Sequence, residues 1–125
     1  MAIIGIGTDL AQCKRFRKFL DRDNKVLERI FSESERNYAL RKRDPAPHLA
    51  ARFAAKEAFL KALGTGLRDG LAWRQVCVDL DPLGCPALEL SGRAAELMAE
   101  RGARRAHLSY SHDGDYAVAT VVLED

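Results

Sequence analysis

The sequence predicts an α+β fold: an antiparallel sheet packed against one long buried helix, with shorter helices around it. Three observations carry this. An apolar, β-branched run opens the chain at residues 2–8. A stretch of strong helix formers, His48 to Leu63, occupies the middle. Two hairpin signals, Asp81-Pro82-Leu83-Gly84 and Asp113-Gly114, each fall between short β-type runs in the second half. The 125 residues suit one domain, 1–125, and a core without disulfide staples, since a chain of this size hides about two thirds of the surface its unfolded form exposes.

Residues 2–8 (Ala-Ile-Ile-Gly-Ile-Gly-Thr) read as a strand ending at Asp9; β-branched residues favour extended backbone, and the glycines mark where another backbone passes close. Thr8 or Asp9 then caps a helix from about Leu10 to Leu20. Its apolar positions, Cys13, Phe16, Leu20 and Leu27, share one face; Lys14, Lys18, Arg22 and Lys25 share another, with Arg15 at its edge. A break is expected over Asp21–Asn24, helix again from Val26 to Phe31, and a capped helix from Ser32-Glu33-Ser34-Glu35 to about Lys42. Asp44-Pro45-Ala46-Pro47 reads as a turn.

The long helix, His48 to Leu63, spans roughly 24 Å and stops at Gly64, which suits a left-handed C-terminal residue. Strands follow at Gln75–Asp79 and Pro86–Leu90 as a hairpin, then a helix from Ser91 to Glu100 or Arg101 ended by Gly102. The last two strands are Ala106–Ser111 and Tyr116–Leu123, joined by His112-Asp113-Gly114-Asp115.

Composition excludes several classes. Hydrophobic residues at 47% and charged residues at 30% mark a globular chain rather than a disordered one. No apolar run approaches the ~20 residues of a membrane helix, and the N-terminus has no signal-peptide pattern. Cys13, Cys77 and Cys85 make neither a zinc pair nor a CxxC, which fits three reduced thiols in a cytoplasmic protein. The net charge of +2 conceals an asymmetry. Residues 1–62 carry 14 Lys/Arg against 8 Asp/Glu; residues 63–125 carry 6 against 10. The basic stripe Lys14, Arg15, Lys18, Arg22, Lys25 therefore fits an acidic macromolecule, either nucleic acid or an acidic protein. No aromatic residue interleaves on that face, which weighs against single-stranded nucleic acid.

On the long helix, His48, Arg52 and Lys56 form one polar stripe and Glu57 and Lys61 a second, among alanines, leucines and phenylalanines. Glu57 and Lys61 are either an ordinary i,i+4 pair or a functional pair in a confined space floored by Ala50, Ala54 and Ala58. Asp9 is either a helix cap or, with Glu57, one of two carboxylates for magnesium, which accepts oxygen ligands and keeps several waters. Gly64-Thr65-Gly66 is either a helix stop or a turn whose N–H groups approach an anion. Ser109 and Ser111 alternate with Tyr110 and His112 on a strand; without a strand-to-helix elbow or a third triad member they fit phosphate or sugar contacts better than nucleophilic catalysis.

These motifs line up, in order, with a family. Gly5-Ile6-Gly7-Thr8-Asp9-Leu10 followed by Arg15 resembles its first motif. Arg52-Phe-Ala-Ala-Lys-Glu57-Ala-Phe-Leu-Lys61-Ala-Leu-Gly64-Thr65-Gly66 resembles its second and most specific one, and His107 to Asp113 with Tyr116 to Ala119 is similar to its C-terminal hairpin. The family is the short, bacterial group of the 4′-phosphopantetheinyl transferase superfamily, the holo-[acyl-carrier-protein] synthases. The resemblance implies the 4′-phosphopantetheinyl transferase fold, and transfer of the 4′-phosphopantetheine arm of coenzyme A to a serine of apo acyl carrier protein, releasing adenosine 3′,5′-bisphosphate, within fatty acid biosynthesis. By carry-over, Asp9 and Glu57 bind Mg2+, Lys61 supports the phosphate, and the base is either Glu57 or a metal-bound water. Arg52, Gly64, Thr65, Gly66, Ser111 and His112 contact the nucleotide, with Lys56 also near the polyanionic coenzyme. Arg15, Arg22 and Lys25 grip the acidic carrier protein. A cytoplasmic homotrimer with active sites between subunits is implied, with no nucleic acid and no membrane among its partners. The alternative reading is a small basic nucleic-acid-binding module without catalysis.

Overall fold

In the computed structural model, which describes residues 1–22 and 25–125, the chain opens with β1 (Ile3–Gln12) and runs through α1 (Cys13–Leu20), α2 (Lys25–Ile30), α3 (Glu33–Leu40) and α4 (Pro45–Leu63). A 3-10 turn at Trp73–Gln75 leads into β2 (Val76–Leu80) and β3 (Pro86–Leu90). The chain then forms α5 (Gly92–Glu100), β4 (Arg105–Asp113) and β5 (Tyr116–Glu124). The sheet order is β1-β5-β4, all antiparallel, with β2 and β3 as a separate two-stranded ladder.

The α+β architecture agrees with the expectation, and several boundaries differ from it. The first strand does not yield to helix at Leu10. It continues to Gln12 because β5 pairs with it throughout, Asp9 opposite Ala119 and Gln12 opposite Tyr116. Neither Thr8 nor Asp9 caps α1. Asp115 of the β4–β5 turn does so from a distance: its carbonyl accepts the Cys13 N–H at 2.8 Å and its Oδ1 the Lys14 N–H at 3.1 Å. The prolines at 45 and 47 are no turn but the first residues of α4, where the missing N–H has no helical partner to lose. The last two strands each extend beyond their expected ends, because the ladder holds from Arg105–Glu124 down to Asp113–Tyr116.

Elsewhere local chemistry sufficed. Ser32 and Glu35 make a reciprocal capping box at α3, and Gly64 ends α4 at φ 78°. Ser91 stands at the N-cap of α5 but makes no side-chain cap bond. Of the expected break over Asp21–Asn24, Asp21 closes α1; Asp23 and Asn24 lie outside the described residues.

The core lies between α4 and the inner face of the three-stranded sheet. Ala50, Ala54, Ala55 and Ala58 of the helix and Ala117, Ala119, Val121 and Leu123 of β5 are all buried. Small residues allow the backbones to approach closely. A Cβ on Gly7 would land on the Ala58 carbonyl oxygen and 2.7 Å from the Ala62 nitrogen, and one on Gly5 would land on the Ala62 carbonyl oxygen. A second cluster ties α1 and the 3-10 turn to α4: the Phe16 ring centroid is 6.0 Å from that of Phe31 and 5.5 Å from that of Phe53, and Trp73 is 5.2 Å from Phe53. The other face of the sheet is uncovered in the single chain, with Ile6 66% and Leu10 62% exposed.

Candidate active site

The close packing of β1 on α4 decides where the acidic residues go. On β1, Asp9 follows Gly5 and Gly7 on the face turned to the helix. It therefore reaches the second stripe of α4. Lys61 Nζ donates to Asp9 Oδ1 at 3.0 Å and to the Thr8 carbonyl at 3.1 Å. The i,i+4 partner that spacing offers Lys61 is thus set aside for one from another element. Glu57 is half-buried beside them. Burial, and then the Asp9 carboxylate, push its carboxyl above the usual glutamate range, while Lys61 and Arg15 pull it partly back.

The space is less enclosed than the alanine-rich surroundings suggested: the Lys61 side chain is 54% exposed. Two carboxylates near enough that the Asp9 charge raises the proton affinity of Glu57, open to solvent on one side, suit a hard divalent cation that fills its shell with water and phosphate oxygens. No group of three or more His, Cys, Asp or Glu side chains able to hold a metal occurs among the described residues, so such an ion would depend on those outside oxygens.

Arg15 is a second link. Its guanidinium lies 5.3 Å from the Phe53 ring centroid, and its charge reaches Glu57. It stands between the acidic pair and the solvent face of α1, where Lys14 and Lys18 are exposed; Arg22 and Lys25 are exposed just beyond.

The expected nucleotide contacts separate into two groups. Gly64, Thr65 and Gly66 form the turn after α4, where Thr65 Oγ1 donates to the Gly66 carbonyl. Arg101, not singled out by the sequence, holds its guanidinium 3.7 Å from where a Cβ on Gly64 would stand and adds a cation near the turn. Arg52 lies twelve residues earlier, about 18 Å along the helix axis. It is 2% exposed, its Nη1 donates to the His48 carbonyl at 3.3 Å, and its guanidinium lies 4.2 Å from the centroid of Tyr38. Its Nε finds no acceptor, and no carboxylate pairs with it among the described residues. Arg52 opens onto a cavity of about 190 Å3 shared with Ser34, Tyr38, Arg41, Asp79 and Leu80. His112 reaches the same neighbourhood through His48, with ring centroids 5.8 Å apart, while Ser111 faces the opposite side of the sheet. One chain therefore does not gather all these residues on one surface.

Lys56 is a correction. It shares a stripe with His48 and Arg52 by helical geometry, yet it is 0% exposed and bonded to Glu35 at 2.8 Å, so it is not available to a coenzyme. Neither Tyr38 nor Glu35 stood out in the sequence as part of a site. The S-x-x-E capping box was the one local signal at Glu35.

The model for the 4′-phosphopantetheinyl transferase superfamily matches residues 5–121. The chain is 56% identical over 123 residues to a holo-[acyl-carrier-protein] synthase of Trichlorobacter lovleyi, covering 98% of each sequence. Its fold is similar to that of the holo-[acyl-carrier-protein] synthase of Neisseria meningitidis, with TM-score 0.87 and 37% identity over 99% of this chain and 100% of that one. It is also similar to a holo-(acyl-carrier-protein) synthase of Bacillus anthracis crystallised in complex with CoA (3′,5′-ADP), with TM-score 0.80 and 39% identity, covering 97% and 96% of the two chains.

Proposed function

The chain belongs to the holo-[acyl-carrier-protein] synthases of the 4′-phosphopantetheinyl transferase superfamily, and we propose that it moves the 4′-phosphopantetheine arm of coenzyme A onto a serine of apo acyl carrier protein. The serine oxygen attacks the phosphorus that bears the pantetheine arm. The bond from that phosphorus to the bridging oxygen breaks, and adenosine 3′,5′-bisphosphate leaves. The product is holo acyl carrier protein for fatty acid biosynthesis. The observation that carries the reading is the convergence of Asp9, Glu57 and Lys61 from β1 and α4.

Each residue has a role that its surroundings support. Asp9 and Glu57 hold Mg2+, which neutralises pyrophosphate charge when bound. Glu57 is also the carboxylate of this chain placed beside the reacting centre to take the serine proton. Lys61, half in solvent and next to Asp9, meets the charge that builds on the leaving phosphate. The buried Arg52, with no carboxylate partner among the described residues, binds a phosphate of the nucleotide, with His112 beside it. Ser111 and the Gly64-Thr65-Gly66 turn complete the coenzyme contacts. Arg15, Arg22 and Lys25 dock the acidic carrier protein, Arg15 standing closest to the chemistry.

The separation of Arg52 from Gly64 and the uncovered apolar sheet face around Ile6, Leu10 and Val118 both support a homotrimer in which neighbours complete each site. The whole chain, 1–125, is then one transferase domain of a cytoplasmic enzyme. No helix among the described residues is long and apolar enough to cross a membrane.

The test is direct. Apo acyl carrier protein incubated with this protein, coenzyme A and Mg2+ gains one phosphopantetheinyl group by mass spectrometry, and Asp9→Ala and Glu57→Ala abolish the gain while staying folded. No mass change with the unaltered protein sinks the reading; a gel shift with duplex DNA at physiological salt in its place turns it toward the nucleic-acid module. Light scattering decides the trimer.

A further inference from the structure

Glu35 and Lys56 are both 0% exposed and meet at 2.8 Å. Four segments converge on them. Lys56 Nζ, on α4, donates to the Trp73 carbonyl of the 3-10 turn at 3.2 Å and to the Val76 carbonyl of β2 at 2.6 Å. Glu35, on α3, accepts the Ser32 N–H through Oε1 and the Val78 N–H of β2 through Oε2, each at 2.9 Å. Residues 76 and 78 of a strand direct their backbone groups to the same edge. β3 pairs along one edge of β2, so the ion pair satisfies the edge that β3 leaves bare.

A buried ion pair is a poor device for stability alone. Removing two charges from water offsets their attraction, and an apolar pair of similar volume often serves as well. What an apolar pair cannot do is bond the backbone at 73, 76 and 78. Those bonds set how far β2 stands from α3 and α4. Glu35 and Val78 line the cavity into which Arg52 opens, and Asp79 and Leu80 follow directly on β2.

We propose that the Glu35–Lys56 pair is a positioning device for the coenzyme pocket: by bonding the free edge of β2 it fixes the wall formed by Val78, Asp79 and Leu80 at a set distance from the Arg52 guanidinium. The inference rests on the transferase reading and adds two positioning residues to it. Neither touches the reacting atoms. Loss of the pair loosens the wall and weakens coenzyme A binding, and leaves the Asp9–Glu57–Lys61 centre and the docking face on α1 as they were.

The experiment compares the unaltered protein with the double variant Glu35→Met/Lys56→Met, which replaces the pair with apolar volume, and with Glu35→Gln, which keeps one acceptor oxygen. In the double variant KM for coenzyme A rises about tenfold, while kcat and KM for carrier protein stay within about twofold. Glu35→Gln shifts the same constant in the same direction by less. Hydrogen exchange in the ligand-free protein shows the Val78 amide losing protection in the double variant. An unchanged KM for coenzyme A in the folded double variant overturns the proposal, as does a fall in kcat at constant KM, which would place the effect at Glu57. If the double variant does not fold, Glu35→Gln decides by the same criterion. Failure of the unaltered protein to modify carrier protein is a separate result, and it counts against the transferase reading instead.

Discussion

Gly7→Ala tests the link between close packing and catalysis. The new Cβ would strike the Ala58 carbonyl oxygen and lie 2.7 Å from the Ala62 nitrogen and 3.0 Å from the Ala58 carbonyl carbon, where such atoms rest near 3.5 Å. All three are backbone atoms of α4, so no side chain can rotate aside. The strand must lift by about 1 Å. Overpacking of this kind costs about 1–3 kcal/mol, and the stiffer unfolded chain returns about 0.5–1 kcal/mol of it. The net loss of about 0.5–2 kcal/mol lowers Tm by about 2–8 °C in a chain of this size. Asp9 lies two residues on and on the same face, so it moves with the strand away from Lys61 and Glu57. A misplacement near 1 Å lowers turnover about 100-fold. Thermal unfolding followed by circular dichroism and a phosphopantetheine-transfer assay read the two effects. Gly5→Ala strikes Ala62 in the same way but lies four residues from Asp9; it should lose similar stability and less activity. A Gly7→Ala protein with unchanged Tm and turnover within threefold of the unaltered protein would refute the reasoning.

Three further outcomes are expected. Arg22→Glu raises KM for carrier protein severalfold without moving KM for coenzyme A, and added salt reproduces the effect on the unaltered protein; equal effects on both constants remove Arg22 from the docking face. Asp115→Ala removes the side-chain cap on the Lys14 N–H and the 3.3 Å pair with Arg17, and lowers stability by about 1 kcal/mol, or about 4 °C in Tm; no change in Tm rejects the cap. His48 is held below the usual histidine pKa by burial and then by Arg52, His112 and Lys42, with Asp44 acting the other way. The unfolded chain therefore takes up a proton at His48 where the folded chain does not. The stability tied to a neutral His48 is complete above about pH 6.5 and is lost as pH falls below it toward the folded value. His48→Gln should flatten the fall of Tm between about pH 6.5 and 5; a slope equal to that of the unaltered protein contradicts this.

Much of the candidate site was legible because its residues lie in contiguous motifs whose order matches a family. Asp9 at a strand end, Glu57 and Lys61 on one helical stripe, and a glycine stop at Gly64 are local features, set by strand alternation, the 3.6-residue period and left-handed backbone. The capping box at Ser32–Glu35 and the β2–β3 hairpin were legible for the same reason. The boundary between β1 and α1 was not. Leu10, Ala11 and Gln12 favour helix locally, and a partner strand more than a hundred positions away overrides them.

The chain's amino-acid order, by itself, determined the architecture, the long helix and which residues are candidates for the site, because these follow from short-range periodicity and motif. Only the tertiary structure decided which polar stripe of α4 meets solvent and which meets protein. Spacing offered Lys61 to Glu57 and left Lys56 beside Arg52. Packing gave Lys61 to Asp9 and closed Lys56 against Glu35, 52 and 21 residues away. A helical period records which residues share a face. What covers that face depends on segments distant in sequence, and a buried charge must find its partner among them or be left unpaired at high cost.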